Sequence, residues 1–150
     1  MGALEELSES KPELFAFELV SPERRLASLE AWQVCVPSVQ GEMGVRSGHM
    51  ALAVLVHAGV VKIWESPDSD PHLVFITGGF VDITPHACVV LAEDADMIDD
   101  LDFEQITQNL KSLRARLEDT NDGPTRMGLR RQISIEEAKR VALSTYFASS

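Results

Sequence analysis

The segment GEMGVRSGHMALAV, residues 41–54, sets Gly41, Gly44 and Gly48 around Arg46, puts His49 next, and follows it with a small apolar run. Glycines at this density can cradle a phosphate when a helix follows, because backbone N–H groups and the helix N-terminus then face the anion. The spacing here is neither G-x-x-x-x-G-K-[ST] nor G-x-G-x-x-G, and a strand-like apolar run stands where the helix would be. The glycines are therefore expected to supply positive φ angles in a long turn between strands.

An imidazole next to Ser47 invites a reading of His49 as a general base. The other histidines, His57, His72 and His86, fall in separate turns, and neither a nucleophile elbow nor H-E-x-x-H is present. No catalytic residue is expected. The acidic run EDADMIDDLD, residues 93–102, lacks the sixth-position glycine and closing glutamate of a calcium loop, so a solvated connection whose end caps a helix is expected. Cys35 and Cys88 stand alone in apolar alternating runs, as reduced core thiols do. Neither a metal nor a cofactor is expected.

The elements that must carry these residues change character along the chain. Short apolar runs separated by turn chemistry fill residues 14–92: LFAFELV (14–20), LEAWQVCV (29–36), MALAVLV (50–56), VVKIW (60–64), LVFIT (73–77), FVDIT (80–84) and ACVVLA (87–92). That pattern predicts an all-β sandwich, with SPDSDP (66–71) joining VVKIW to LVFIT as a hairpin. From Glu93 the period becomes helical. Phe103, Ile106, Leu110, Leu113 and Leu117 draw one stripe, opened by an Asp102/Gln105 capping pattern and closed by TNDGP (120–124). A second helix is expected from a Ser134/Glu137 cap, with Ala138, Ala142 and Tyr146 along one side. The fold class is thus a β-sandwich N-terminal domain followed by a C-terminal antiparallel two-helix hairpin. The divisions read as a tail over 1–12, a sandwich over 13–96 and a hairpin over 97–150.

Composition bounds the function. With 45% hydrophobic and 25% charged residues, the 150-residue chain is of globular type. Its longest apolar run, 50–56, is far short of the ~20 residues that cross a bilayer as a helix. The acidic opening MGALEELSESKPE reads as no targeting segment, which suggests a bacterial origin. Net charge is −11, with 5 Lys and Arg against 15 Asp and Glu over residues 1–96 and 8 against 9 over 97–150. An acidic front half disfavours nucleic acid and suits a basic protein surface.

The pieces, in this order, resemble the epsilon subunit of F-type ATP synthases, equivalent to the mitochondrial delta subunit. The matching residues are FELVSPER (17–24), VCVPSVQGEMGVRSGHMALAV (34–54), GVVKI (59–63), FITGGFVDITP (75–85) and VVLAEDA (89–95). The resemblance implies ten strands, no active site, and a place on the central stalk. There the subunit would join the gamma subunit to the c-ring, turn with the rotor, and couple proton flow to ATP synthesis. It would sit peripherally on the cytoplasmic face of the bacterial inner membrane.

By the same resemblance Glu42 and His49, with Arg46, would meet the polar, arginine-bearing loops of the c-ring. Arg46 and Ser47 depart from the tyrosine or similar residue and the proline often found there. The L-D-x-x-R-A nucleotide motif of some members is incomplete, with Leu101 and Asp102 matched but Gln105 and Ile106 in place of Arg and Ala. No nucleotide site is expected. The hairpin's Arg114, Arg116, Arg130 and Arg131, among its basic residues, would be its means of reaching the alpha and beta catalytic subunits and regulating ATP hydrolysis. The competing readings are a free-standing sandwich module that dimerises through its hairpin, and a small hydrolase using His49.

Overall fold

A computed structural model describes residues 13–147, so the expected tail over 1–12 lies outside the described residues. Ten strands precede two helices. The strands are β1 (Phe15–Val20), β2 (Arg25–Ala31), β3 (Gln33–Ser38), β4 (Gly41–Arg46), β5 (Leu52–Val56), β6 (Gly59–Trp64), β7 (His72–Ile76), β8 (Gly79–Thr84), β9 (Ala87–Ala92) and β10 (Ala95–Met97). A single 3₁₀ turn, Ile98–Asp100, leads to α1 (Phe103–Glu118) and α2 (Gly123–Phe147).

The hydrogen-bonded order is β10-β7-β6-β3-β5-β8-β9-β1-β2, with β4 on β3. All pairs are antiparallel except β1 with β9. Between β3 and β5 only Ser38 and Val56 pair, so the sheet is two five-stranded layers hinged at one bridge. Ser38 is buried there, and its hydroxyl donates to the Gly41 carbonyl at 2.6 Å while accepting from the Gln40 amide at 3.2 Å. Alternate residues of both layers, among them Phe17, Leu19, Val34, Ile63, Ile76, Ile83 and Val90, meet in one core.

The SPDSDP hairpin forms as expected, with Ile63 opposite His72 and Gly59 opposite Ile76. The sequence expectation fails for residues 29–36, which are not one strand. Ala31 and Val34 are both buried, an odd spacing that a continuous strand would send to opposite faces, and the chain bends at Trp32 to cross from one layer to the other. The Trp32 amide then bonds the Trp64 carbonyl at 2.8 Å.

Nor is 41–49 a long turn. Residues 41–46 are a strand in register with β3, Gln33 to Arg46 and Ser38 to Gly41, and positive φ is confined to Gly41 and Gly48 at its flanks. The acidic run is only partly solvated: Ala95–Met97 pair with β7, and Ala95 and Ile98 are buried.

In α1, Ile106, Leu110 and Leu113 are buried, but Phe103 is exposed at the mouth of a hollow shared with Leu143 and Phe147. Asp102 caps the helix by accepting from the Glu104 amide at 2.9 Å and the Gln105 amide at 3.4 Å. The reciprocal half of the expected capping box is absent, because the Gln105 side chain donates to Asn109 instead.

Ser134 does not start the second helix. It lies inside α2, which begins eleven residues earlier, where Asp122 accepts from the Thr125 amide at 2.9 Å and Pro124 fits the first turn. Arg126 joins the two helices by donating to the Leu117 and Thr120 carbonyls at the end of α1.

Two expectations follow. A Cβ on Gly79, which sits at φ +153°, would stand 2.0 Å from the Leu91 carbonyl oxygen. Gly79→Ala should therefore lower stability to urea by about 3 kcal/mol or more. Burial, with the Asp82 charge nearby, pushes the Cys88 thiol up to about 12. The folded state thus holds the proton more tightly than the unfolded state, whose thiol ionises near 9.0, so stability is kept below that pH and declines as pH rises from there toward 12. Urea melts from pH 8 to 11 should show less of this decline in Cys88→Ala.

Candidate interaction surfaces

Strand β4 turns Met43 and Val45 toward the core, which sends Glu42 and Arg46 outward. The Glu42 carboxylate accepts from Lys62 of β6, at 3.2 Å to one oxygen and 3.3 Å to the other. Lys62 is only 21% exposed, and its ammonium also lies 5.7 Å from the Tyr146 ring of α2. Burial works to lower the Lys62 pKa, but Tyr146 and Glu42 outweigh it and hold the group above its ordinary value.

Arg46 belongs to a different environment. Its guanidinium stacks 4.1 Å from the centre of the Trp32 ring. His49 stands beside it, its amide bonded to the Arg46 carbonyl and its Nδ1 2.7 Å from the Met50 carbonyl. The structure therefore brings Arg46 and His49 together and leaves Glu42 four residues, ~13 Å, up the strand.

The other histidines are dispersed. His57 faces the Ala58 carbonyl, His72 pairs with Glu65 at 2.9 Å, and the His86 carbonyl accepts from the Ala16 amide. Among the described residues no group of three or more His, Cys, Asp or Glu is placed to hold a metal ion.

A second surface was not anticipated. On the outer face of the layer formed by β5, β8 and β9, Leu55, Phe80 and Leu91 stand in register, exposed by 62%, 37% and 48%. Val20 of β1 continues the row beside Leu91. The signal was present in the unbroken apolar runs MALAVLV and ACVVLA, where a one-sided strand would alternate with polar residues. A contiguous apolar row facing water is a surface of the kind that interaction sites use.

The hairpin makes a third arrangement. It is docked on the outer face of the other layer, where Phe75, Ile98 and Ala142 are buried with Val60, Leu73, Ile135, Ala138 and Tyr146 packed around them. The stripe on α2 thus faces the sandwich. Of the hairpin arginines singled out in the sequence, Arg131 pairs with Glu93 on the β9–β10 turn and Arg114 with Glu137 across the hairpin at 2.6 Å. Arg116 and Arg130 are exposed, with no ion pair among the described residues. Leu101 is half-buried against the second cluster and Asp102 is engaged as the α1 cap.

Residues 14–98, which is β1 through the start of the 3₁₀ turn, match the model of the "ATP synthase, Delta/Epsilon chain, beta-sandwich domain" family. The chain belongs to that family. The ATP synthase epsilon chain of Brucella anthropi is 40% identical over 113 residues, covering 75% of this chain and 82% of that one. That of Chelativorans sp. strain BNC1 is 38% identical over 112 residues, with the same coverage.

Two solved structures share the fold. A chain of the Euglena gracilis mitochondrial ATP synthase, in a cryo-EM structure of OSCP, F1 and c-ring, aligns with a TM-score of 0.77 at 20% identity over 89% of this chain and 84% of that one. A chain of the Tetrahymena thermophila mitochondrial ATP synthase central stalk and c-ring aligns at 0.64 and 14% identity over 89% and 98%. Within this delta/epsilon-family chain, no described helix is long and apolar enough to cross a membrane.

Ala142 is the buried α2 residue at the contact between the hairpin and the sandwich. Ala142→Asp, which would bury a carboxylate against Phe75 and Ile98, should release α2 and raise its hydrogen-exchange rates at least tenfold while protection in β1, β8 and β9 persists.

Proposed function

We propose that this chain is a non-catalytic central-stalk subunit of a proton-translocating F-type ATP synthase, linking the gamma subunit to the c-ring and coupling proton transport to ATP synthesis. The observation that carries the reading is the exposed row Leu55–Phe80–Leu91 on a sandwich whose opposite face is already covered by its own helices. A rigid wedge with one apolar side open fits a permanent joint, of the class that buries more than ~2,000 Å² in total. Its relatives are ATP synthase epsilon chains, and its fold neighbours come from structures of ATP synthase assemblies with a c-ring and, in one case, a central stalk.

In this reading residues 13–96 are the wedge and residues 97–150 a regulatory hairpin. The apolar row meets gamma. The β4 edge, with Glu42 and with Arg46 and His49 at its far end, meets the c-ring loops. Released from the sandwich, the hairpin would present Arg114, Arg116, Arg130 and Arg131 to acidic patches of the alpha and beta subunits and slow ATP hydrolysis. The subunit needs no cofactor or bound nucleotide, and it lies peripherally on the cytoplasmic face of the inner membrane.

Co-expression with gamma and c subunits tests the reading. The chain should co-purify with both, and recovery alone as a monomer or hairpin-linked dimer would refute it. Leu55→Asp should weaken the gamma complex at least tenfold, the scale of a contact worth ~2 kcal/mol, and leave the isolated fold intact by circular dichroism. Glu42→Lys should lower retention on the c-ring and spare the gamma complex.

A further inference from the structure

We propose that Lys62 is a latch through which the docked hairpin and a basic partner compete for the carboxylate of Glu42. The partner half of this inference rests on the reading of the β4 edge given above; the latch itself does not.

The ammonium of Lys62 reaches two elements at once, Glu42 on β4 at 3.2 and 3.3 Å and the Tyr146 ring on α2 at 5.7 Å. Lys62 is only 21% exposed, with Tyr146 of α2 over its ammonium, and burying an ammonium is unfavourable unless a carboxylate stays with it. The ring face alone is a weaker partner than an anion. Glu42 therefore holds the hairpin down without touching it, by keeping the lysine beneath α2 compensated.

Glu42 itself is 56% exposed, and it opens onto a hollow between β4 and α2 lined also by Pro37, His57, Val60, Thr145 and Tyr146. A guanidinium entering from another protein can take both carboxylate oxygens in its planar fork, a geometry the lysine's point charge does not match. Lys62 would then lie under α2 without its counter-charge, and docking would weaken. By reciprocity, a hairpin that leaves the sandwich makes Glu42 easier to capture. Of the other titratable groups here, the His57 ring faces the Ala58 carbonyl and the buried Cys35 thiol lies beside Glu42 and Lys62.

The test uses the full chain with Cys35 replaced by Ala and a cysteine placed at Ala142, under the docked helix. Labelling of that thiol by iodoacetamide proceeds through release of α2, so its rate follows the released population. Glu42→Gln should speed labelling about threefold, the scale of one partly exposed ion pair. In a Lys62→Met background the same substitution should change nothing. An unchanged rate in Glu42→Gln, or an equal acceleration with Met at position 62, would overturn the latch, with circular dichroism showing that each variant folds. A cysteine at Glu42 cross-linked to the c-ring tests the contact separately, so latch and contact can fail independently.

Discussion

Strand β7 is buried on both of its faces, and much of the molecule follows from that. Val74 and Ile76 point into the sandwich while Phe75, between them, points outward and has no exposed surface. A fully buried aromatic is worth ~1.5–3 kcal/mol over an exposed one, so the outer face of β6 and β7 must be covered by something. What covers it here is α2, through Ile135, Ala138, Ala142 and Tyr146. Small residues at the centre of that contact bring the helix close. Replacing that helix by water would expose Phe75, and this holds the helix in place.

That constraint also sorts the surfaces. One layer uses its outer face to seat the hairpin, which leaves the outer face of β5, β8 and β9 as the apolar surface open to another subunit. The β4 edge lies between these uses and is polar. A core shared by two closely packed layers makes the sandwich stiff, which loops would not. The hairpin is held on the sandwich by the Arg131–Glu93 pair at one end and by Lys62 with Tyr146 at the other.

Much of this was legible in the chain. The SPDSDP hairpin, the buried thiols and the α1 stripe follow from turn chemistry and periodicity, because each is a local preference or a one-face pattern. Two of the misreadings share a cause, strand pairing between residues apart in the chain, and the third is a helix that starts earlier. Residues 29–36 alternate as a single strand, yet Trp32 breaks them because β2 and β3 pair in different layers. GEMGVR looks like a turn for its glycines, yet β3 gives it a partner along its whole length. Ser134 looks like a cap, yet it is carried inside α2 once Asp122 has started the helix.

The sequence by itself determined the two classes of element and their order, strands before helices, the absence of known catalytic and phosphate-binding spacings, and the family likeness over the sandwich. These are properties of local conformation and of side-chain type at fixed spacing. Only the tertiary structure decided that Glu42 stands with Lys62 rather than with His49, that Leu55, Phe80 and Leu91 form a row, and that α2 lies on β6 and β7. Each joins residues far apart in the chain, and such pairs are set by strand register and by which faces remain to be buried after the core has formed.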